Sequence, residues 1–208
     1  MSVQARRRQV EMPPHVPMSN PVSGWNRNNH MRTPFLICLG VCLWSLGAEA
    51  ALPVGHPAPL FDAKATLGGN EFSFSLADAL RHGPVVLYFY PAAFTPGCTV
   101  EAHEFAAAMP QFQSLHATVI GVSEDGIKKL DRFSVTECRK EFPVASDASG
   151  AISKSYDAVL SGMLGLASRT SYVIAPNDTV IYSYSAMDPN SHVANTMHAV
   201  EAWDAANK

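Results

Sequence analysis

Two hydrophobic patterns take turns along this chain: unbroken apolar runs, and stretches in which apolar positions recur every three or four residues. GPVVLYFYP, residues 83–91, is almost entirely apolar and ends on proline, which predicts a strand buried on both faces. A helix follows over about 96–115, and Pro110 predicts an interruption or kink within it. ATVIGVS, 117–123, predicts a second buried strand. Ile127, Leu130 and Phe133 fall at helical spacing within 125–138. FPVASD predicts a short strand and ISKSYDAV a short helix. TSYVIAPNDTVIYSYS, 170–185, reads as two β-rich runs joined by Pro-Asn-Asp, a hairpin signal. A last helix over about 190–206 places Val193, Met197, Val200 and Trp203 on one side. Upstream, GNEFSFSLADAL adds a hairpin strand leading into a short helix.

Strand–helix alternation closed by a hairpin and a final helix describes an α/β protein, with a central mixed β-sheet flanked by helices. That is the layout of a thioredoxin-like fold with an N-terminal extension. No repeat, low-complexity stretch or linker breaks residues 51–208, which are expected to form one domain.

The first fifty residues belong to a different class. Residues 1–30 are polar and rich in Pro, Asn and Arg, and are expected to be a disordered tail or to precede a true start at Met31. MRTPFLICLGVCLWSLGAEA, 31–50, has a basic Arg32, a thirteen-residue apolar run from Phe35 to Gly47 and an A-x-A ending. It reads as a signal peptide cleaved after Ala50. The run is short of the roughly 20 residues a membrane span needs. The expected product is periplasmic or secreted, with no stable membrane association after cleavage. A composition of 47% hydrophobic and 16% charged residues argues against disorder in the remainder. The formal net charge of −3 and the lack of a basic stripe give no sign of a nucleic-acid partner. Removal of 1–50 leaves two cysteines, Cys98 and Cys138. In an oxidising compartment such a pair is expected to be bonded at least part of the time.

Cys98 lies just after Pro96 and Gly97, where the first long helix begins. Thr95 suits the N-cap and Pro96 the first helical position. A cysteine in that turn faces unpaired N–H groups and the positive end of the helix dipole, which favour thiolate over thiol. The dipole alone contributes about 0.3–1 kcal/mol, so a reactive thiolate needs a cation as well. The plainer alternative is a small buried hydrophobe, a common fate of free cysteine.

The stretch Pro91-Ala92-Ala93-Phe94-Thr95-Pro96-Gly97-Cys98-Thr99-Val100-Glu101 resembles the peroxiredoxin signature P-x-x-x-T-x-x-C. Its T-P-G-C-T-V-E form is similar to the Q-type, or bacterioferritin-comigratory, subgroup of the AhpC/TSA thioredoxin-like superfamily. The resemblance runs from about Leu52 to Trp203. It implies a thiol peroxidase acting on hydrogen peroxide and small organic hydroperoxides, without metal, flavin or haem and with a thioredoxin-like reductant. It also implies that Cys98 is the peroxidatic nucleophile, that Thr95 holds the peroxide, and that Pro91 shields the thiolate. Arg169, ahead of a predicted strand, matches the family's active-site arginine and supplies the cation; a solvated surface arginine is the plainer alternative. Glu101 matches a position that orients Thr95 or Arg169. Members of the subgroup are often monomers, and a monomer is expected here.

Many Q-type members carry a resolving cysteine five residues after the nucleophile, where this chain has His103. Cys138 is the other candidate, giving an intramolecular Cys98–Cys138 disulfide once Cys98 is oxidised to sulfenic acid. The alternatives are a one-cysteine enzyme served by an external thiol and a disulfide between two molecules. A different class, a copper-binding module using Cys98, His103 and Cys138, has soft ligands in its favour and no ligand-like spacing.

Overall fold

The computed structural model describes residues 51–160 and 166–208. The tail 1–30 and the signal-like segment 31–50, with Cys38 and Cys42, lie outside them. In chain order the strands are β1 (Asp62–Leu67), β2 (Asn70–Ser75), β3 (Val85–Phe89), β4 (Thr118–Ser123), β5 (Val144–Ser146), β6 (Thr170–Ile174) and β7 (Val180–Ser185). The helices are α1 (Leu76–Leu80), α2 (Pro96–Ser114), α3 (Ile127–Thr136), α4 (Ala151–Ser155) and α5 (His192–Ala206), with a 3-10 turn at Pro189–Ser191.

The strands form one mixed sheet in the order β2-β1-β5-β4-β3-β6-β7. The apolar run VVLYF becomes its interior, as expected: every β3 residue is buried. β3 pairs parallel with β4 and antiparallel with β6. Because side chains alternate across a strand, Val86 and Tyr88 enter one core layer with residues of α2, α3 and α5. Val85, Leu87 and Phe89 enter the other, with Leu76 and Leu80 of α1 and Tyr156 beyond α4. The α/β sandwich expected from the sequence is therefore present, and β1, β2 and α1 form the N-terminal extension.

Two local expectations need correction. Of the interruption or kink expected at Pro110, the interruption does not occur: α2 continues to Ser114 with the proline inside it. Pro110 is exposed, while Met109 and Phe112 on either side are buried in the core, and that packing outweighs the lost backbone hydrogen bond. The short helix foreseen over 152–159 stops at Ser155. Asp157 has a left-handed backbone, φ 52°, and Val159 bridges Ala167. The C-terminal helix behaves as its apolar stripe predicts, with Val193, Met197 and Val200 buried and Trp203 half-buried. No helix among the described residues is long and apolar enough to cross a membrane.

The layer under α2 is aromatic. Phe105, fully buried, stacks on Tyr88 with ring centroids 4.5 Å apart and meets Phe142 and Phe112 at 6.1 Å. Phe105→Ala is expected to destabilise the protein by about 3–5 kcal/mol, read as a lower urea midpoint by circular dichroism.

Candidate active site

The chain leaves β3 at Phe89 and enters α2 at Pro96 through a short loop, and each end of that loop is tied down. Tyr90 N–H donates to Val122 C=O at 3.1 Å, extending the β3–β4 pairing by one residue. Ala93 N–H donates to Asp125 Oδ2 at 2.6 Å, and Asp125 is itself held by Ser123 Oγ at 3.1 Å and by Lys129 at 2.7 Å. Phe94 sits in the left-handed region, φ 67°, a strain of about 1 kcal/mol for a residue with a side chain. Its ring lies edge-on to Phe133 at 5.3 Å, which offsets part of that strain.

Thr95 occupies the N-cap with an extended backbone, as expected, and its C=O accepts the first helical bond from Thr99 N–H. Its side chain does not cap the helix. Thr95 Oγ1 donates instead to Ala92 C=O at 2.9 Å. Three residues on, Cys98 lies in the first helical turn and is only 1% exposed. Pro91 is half-buried in the same loop.

Arg169 comes to this turn from across the sheet. Thr170 pairs with Phe89, the last residue of β3, so the residue before β6 arrives at the start of α2. The guanidinium is buried, 4% exposed, and all three of its nitrogens are engaged. Nη2 donates to Cys98 Sγ at 3.5 Å, Nη1 pairs with Glu101 Oε2, and Nε donates to Met187 C=O at 3.0 Å. Desolvation works against its charge, but Glu101 and Cys98 together hold the guanidinium above its ordinary value. The plainer alternative of a solvated surface arginine does not hold.

Glu101 is fully buried and paired with Arg169; the alternative partner, Thr95, is bonded elsewhere. Burial pushes the Glu101 carboxyl up against the pull of Arg169. Cys138 falls in the turn after α3 and is fully buried and free, as is Cys98, and the two share one core layer with Tyr88, Tyr90 and Phe133. His103 Nε2 contacts Glu137 Oε2 at 2.9 Å. Cys98, His103 and Cys138 do not assemble as a copper site: among the described residues no three His, Cys, Asp or Glu side chains are grouped to hold a metal ion.

Four contributors were not anticipated from the sequence. Asp125 and the Met187 carbonyl carry no motif. His192, buried at the start of α5, looks like any lone histidine. Gly97 did leave a signal, since glycine disfavours a helix interior yet occupies the first turn here. A Cβ at Gly97 would lie 2.9 Å from Arg169 Nη2. Gly97→Ala is therefore expected to displace the guanidinium and slow alkylation of Cys98 by iodoacetamide about tenfold, near the lower end of what a hydrogen bond to a charged group contributes. Mass spectrometry of the Cys98 peptide over time measures it.

Comparison with known proteins places the chain in a family. Residues 54–183 match the AhpC/TSA family. Peroxiredoxin Bcp of Xanthomonas campestris pv. campestris is 30% identical over 155 residues, covering 70% of this chain and 92% of that protein. The chloroplastic peroxiredoxin Q of Oryza sativa subsp. japonica is 32% identical over 149 residues, covering 71% and 66%. The crystal structure of peroxidoxin BcpB from Mycobacterium tuberculosis superposes with a TM-score of 0.66 at 30% identity, over 73% of this chain and 97% of that one. A family match over more than half the chain, together with these relatives, shows that the chain belongs to the AhpC/TSA family, among the peroxiredoxins of the Bcp and Q type.

Proposed function

We propose that the protein reduces hydrogen peroxide and small organic hydroperoxides with Cys98 as the nucleophile. The observation that carries this reading is the hydrogen bond from the buried Arg169 Nη2 to Cys98 Sγ at the start of α2. It pairs a permanent cation with a sulfur anion out of water. The Cys98 thiolate attacks one peroxide oxygen, the S–O bond forms as the O–O bond breaks, and the other oxygen departs with the electron pair and takes up a proton. Arg169 stabilises the charge that passes from sulfur to the leaving oxygen. The hydrogen of Thr95 Oγ1 is committed to Ala92 C=O, so its lone pairs are free to accept the peroxide O–H and align it.

The Cys98 sulfenic acid then condenses with the Cys138 thiol, releasing water and leaving a disulfide that a thioredoxin-like dithiol reduces. Burial pushes the Cys138 thiol well above its ordinary value, so it attacks only once its turn opens. That turn is primed to do so. Arg139 and Lys140, directly after Cys138, are both left-handed, φ 53° and 63°, storing about 1 kcal/mol each. Complete burial of Cys138 favours a second reading, in which an external thiol serves Cys98 alone. The signal-like segment 31–50 supports export of the protein to the compartment where it acts.

After one equivalent of hydrogen peroxide, the wild-type monomer is expected to lose two thiols and about 2 Da, and Cys138→Ser to retain a trapped sulfenic acid. An oxidised Cys98 beside a free Cys138 in the wild type would establish the one-cysteine reading, and an inert Cys98 would remove the peroxidase reading. Arg169→Lys, which cannot fork between sulfur and carboxylate, is expected to slow the peroxide step roughly a hundredfold in stopped-flow measurements.

A further inference from the structure

Behind Arg169 the polar chain continues into a part of the molecule that the peroxide chemistry does not touch. Glu101 spends one oxygen, Oε2, on Arg169. Its other oxygen, Oε1, is buried and has no hydrogen-bond partner among the described residues. His192 Nδ1 lies 3.7 Å from it, on a ring that is fully buried like Glu101. His192 Nε2 faces the Ala186 carbonyl at 2.9 Å. A carbonyl only accepts, so Nε2 carries a hydrogen in either charge state. Nδ1 lies 2.8 Å from Ser171 Oγ. The Ser171 hydroxyl donates to Nδ1 of a neutral ring and accepts from Nδ1–H of a charged one, so the ring can gain or lose a proton without losing a partner.

Charge balance gives this arrangement a purpose. With Cys98 and Glu101 both anionic against Arg169, the buried cluster would carry a net charge of −1, which an interior tolerates poorly. One retained proton cancels it. We propose that Glu101 and His192 form a proton-holding pair behind Arg169, keeping one proton on either Glu101 Oε1 or His192 Nδ1 while Cys98 is anionic. Ionisation of Cys98 then breaks Sγ–H and makes Oε1–H or Nδ1–H, and the cluster stays neutral. Burial raises Glu101 and lowers His192, so the carboxyl is the main holder, and the imidazole, its Nδ1 bonded to Ser171 Oγ, is the alternative one. The other groups facing the pair are Glu104 from α2, Tyr88 from β3, Asp188 from the turn before α5, and Tyr184 from β7, whose ring meets the His192 ring at 4.8 Å. Glu104 and Asp188 are both acidic and favour retention of the proton. Glu101 and His192 act through Arg169 and are positioning residues.

The proposal rests on the thiolate reading of Cys98, and its test does not require peroxide. The rate of Cys98 alkylation by iodoacetamide is followed against pH in the full chain, in wild type, His192→Gln, Glu101→Gln and the double variant. In the wild-type background, His192→Gln is expected to move the midpoint up by about one pH unit, or about tenfold in rate on the rising limb. In the Glu101→Gln background, where position 101 is permanently neutral, the same substitution is expected to move nothing further. Equal shifts in both backgrounds mean a merely structural role and overturn the proposal, as does no shift in either. If His192→Gln fails to fold, Ser171→Ala is read in the same cycle with the same expectation. A wild type whose Cys98 alkylates with this pH dependence but ignores hydrogen peroxide sinks the peroxidase reading and leaves the proton-holding pair standing.

Discussion

A single buried guanidinium sets the terms for the rest of this molecule. Arg169 joins the residue before β6 to the first turns of α2 through Cys98 and Glu101, and to the turn ahead of α5 through the Met187 carbonyl. A buried cation without partners is prohibitively unfavourable, so all three elements must be in place before Arg169 can be. The same contacts make the site rigid. Gly97 follows from this constraint, because any side chain there meets Nη2. So does the buried position of Glu101, whose carboxyl would have no reason to leave water otherwise.

Rigidity around Arg169 contrasts with stored strain around the two cysteines. Phe94 before Cys98, and Arg139 and Lys140 after Cys138, hold left-handed backbones without being glycine. In the core layer that holds both cysteines, the phenolic oxygen of Tyr88 lacks a partner among the described residues. Strained turns and unsatisfied buried polar groups both lower the free energy needed for local opening. Under the proposed two-cysteine cycle, the chain opens around its sulfurs while the Arg169 anchor stays in place. The contact between His103 and Glu137 ties the α2 turn after Cys98 to the residue before Cys138, so opening at one end is felt at the other.

Much of this was legible beforehand, and for identifiable reasons. β3, β4 and the β6–β7 hairpin are uniform apolar or β-branched runs bounded by breakers, and α3 and α5 carry clear stripes; local pattern and tertiary burial agree in all of them. The break allowed for at Pro110 and the helix expected after Ser155 are absent because local propensity was overruled, by buried neighbours in the first case and by the Val159–Ala167 bridge in the second. Within the site, Thr95, Cys98, Glu101 and Arg169 could be picked out by their match to the peroxiredoxin pattern, and the first three also share a helix start. Even there the Thr95 hydroxyl was assigned a position and not its partner, which is Ala92 C=O.

By itself the sequence determined the alternation of elements, the burial of β3 and the placing of a lone cysteine in the first turn of a helix, since these depend on residue spacing and short-range sterics. Residue spacing alone did not place Arg169 at Cys98, a meeting expected only through the family resemblance. Tertiary structure decided how Arg169 reaches it, which of Glu101's two oxygens is spent and which is left facing His192, and that Cys138 begins fully buried. Those outcomes depend on the β3–β6 register and on the packing of α5 against α2. A register brings together residues 71 positions apart, and no local pattern encodes such a meeting.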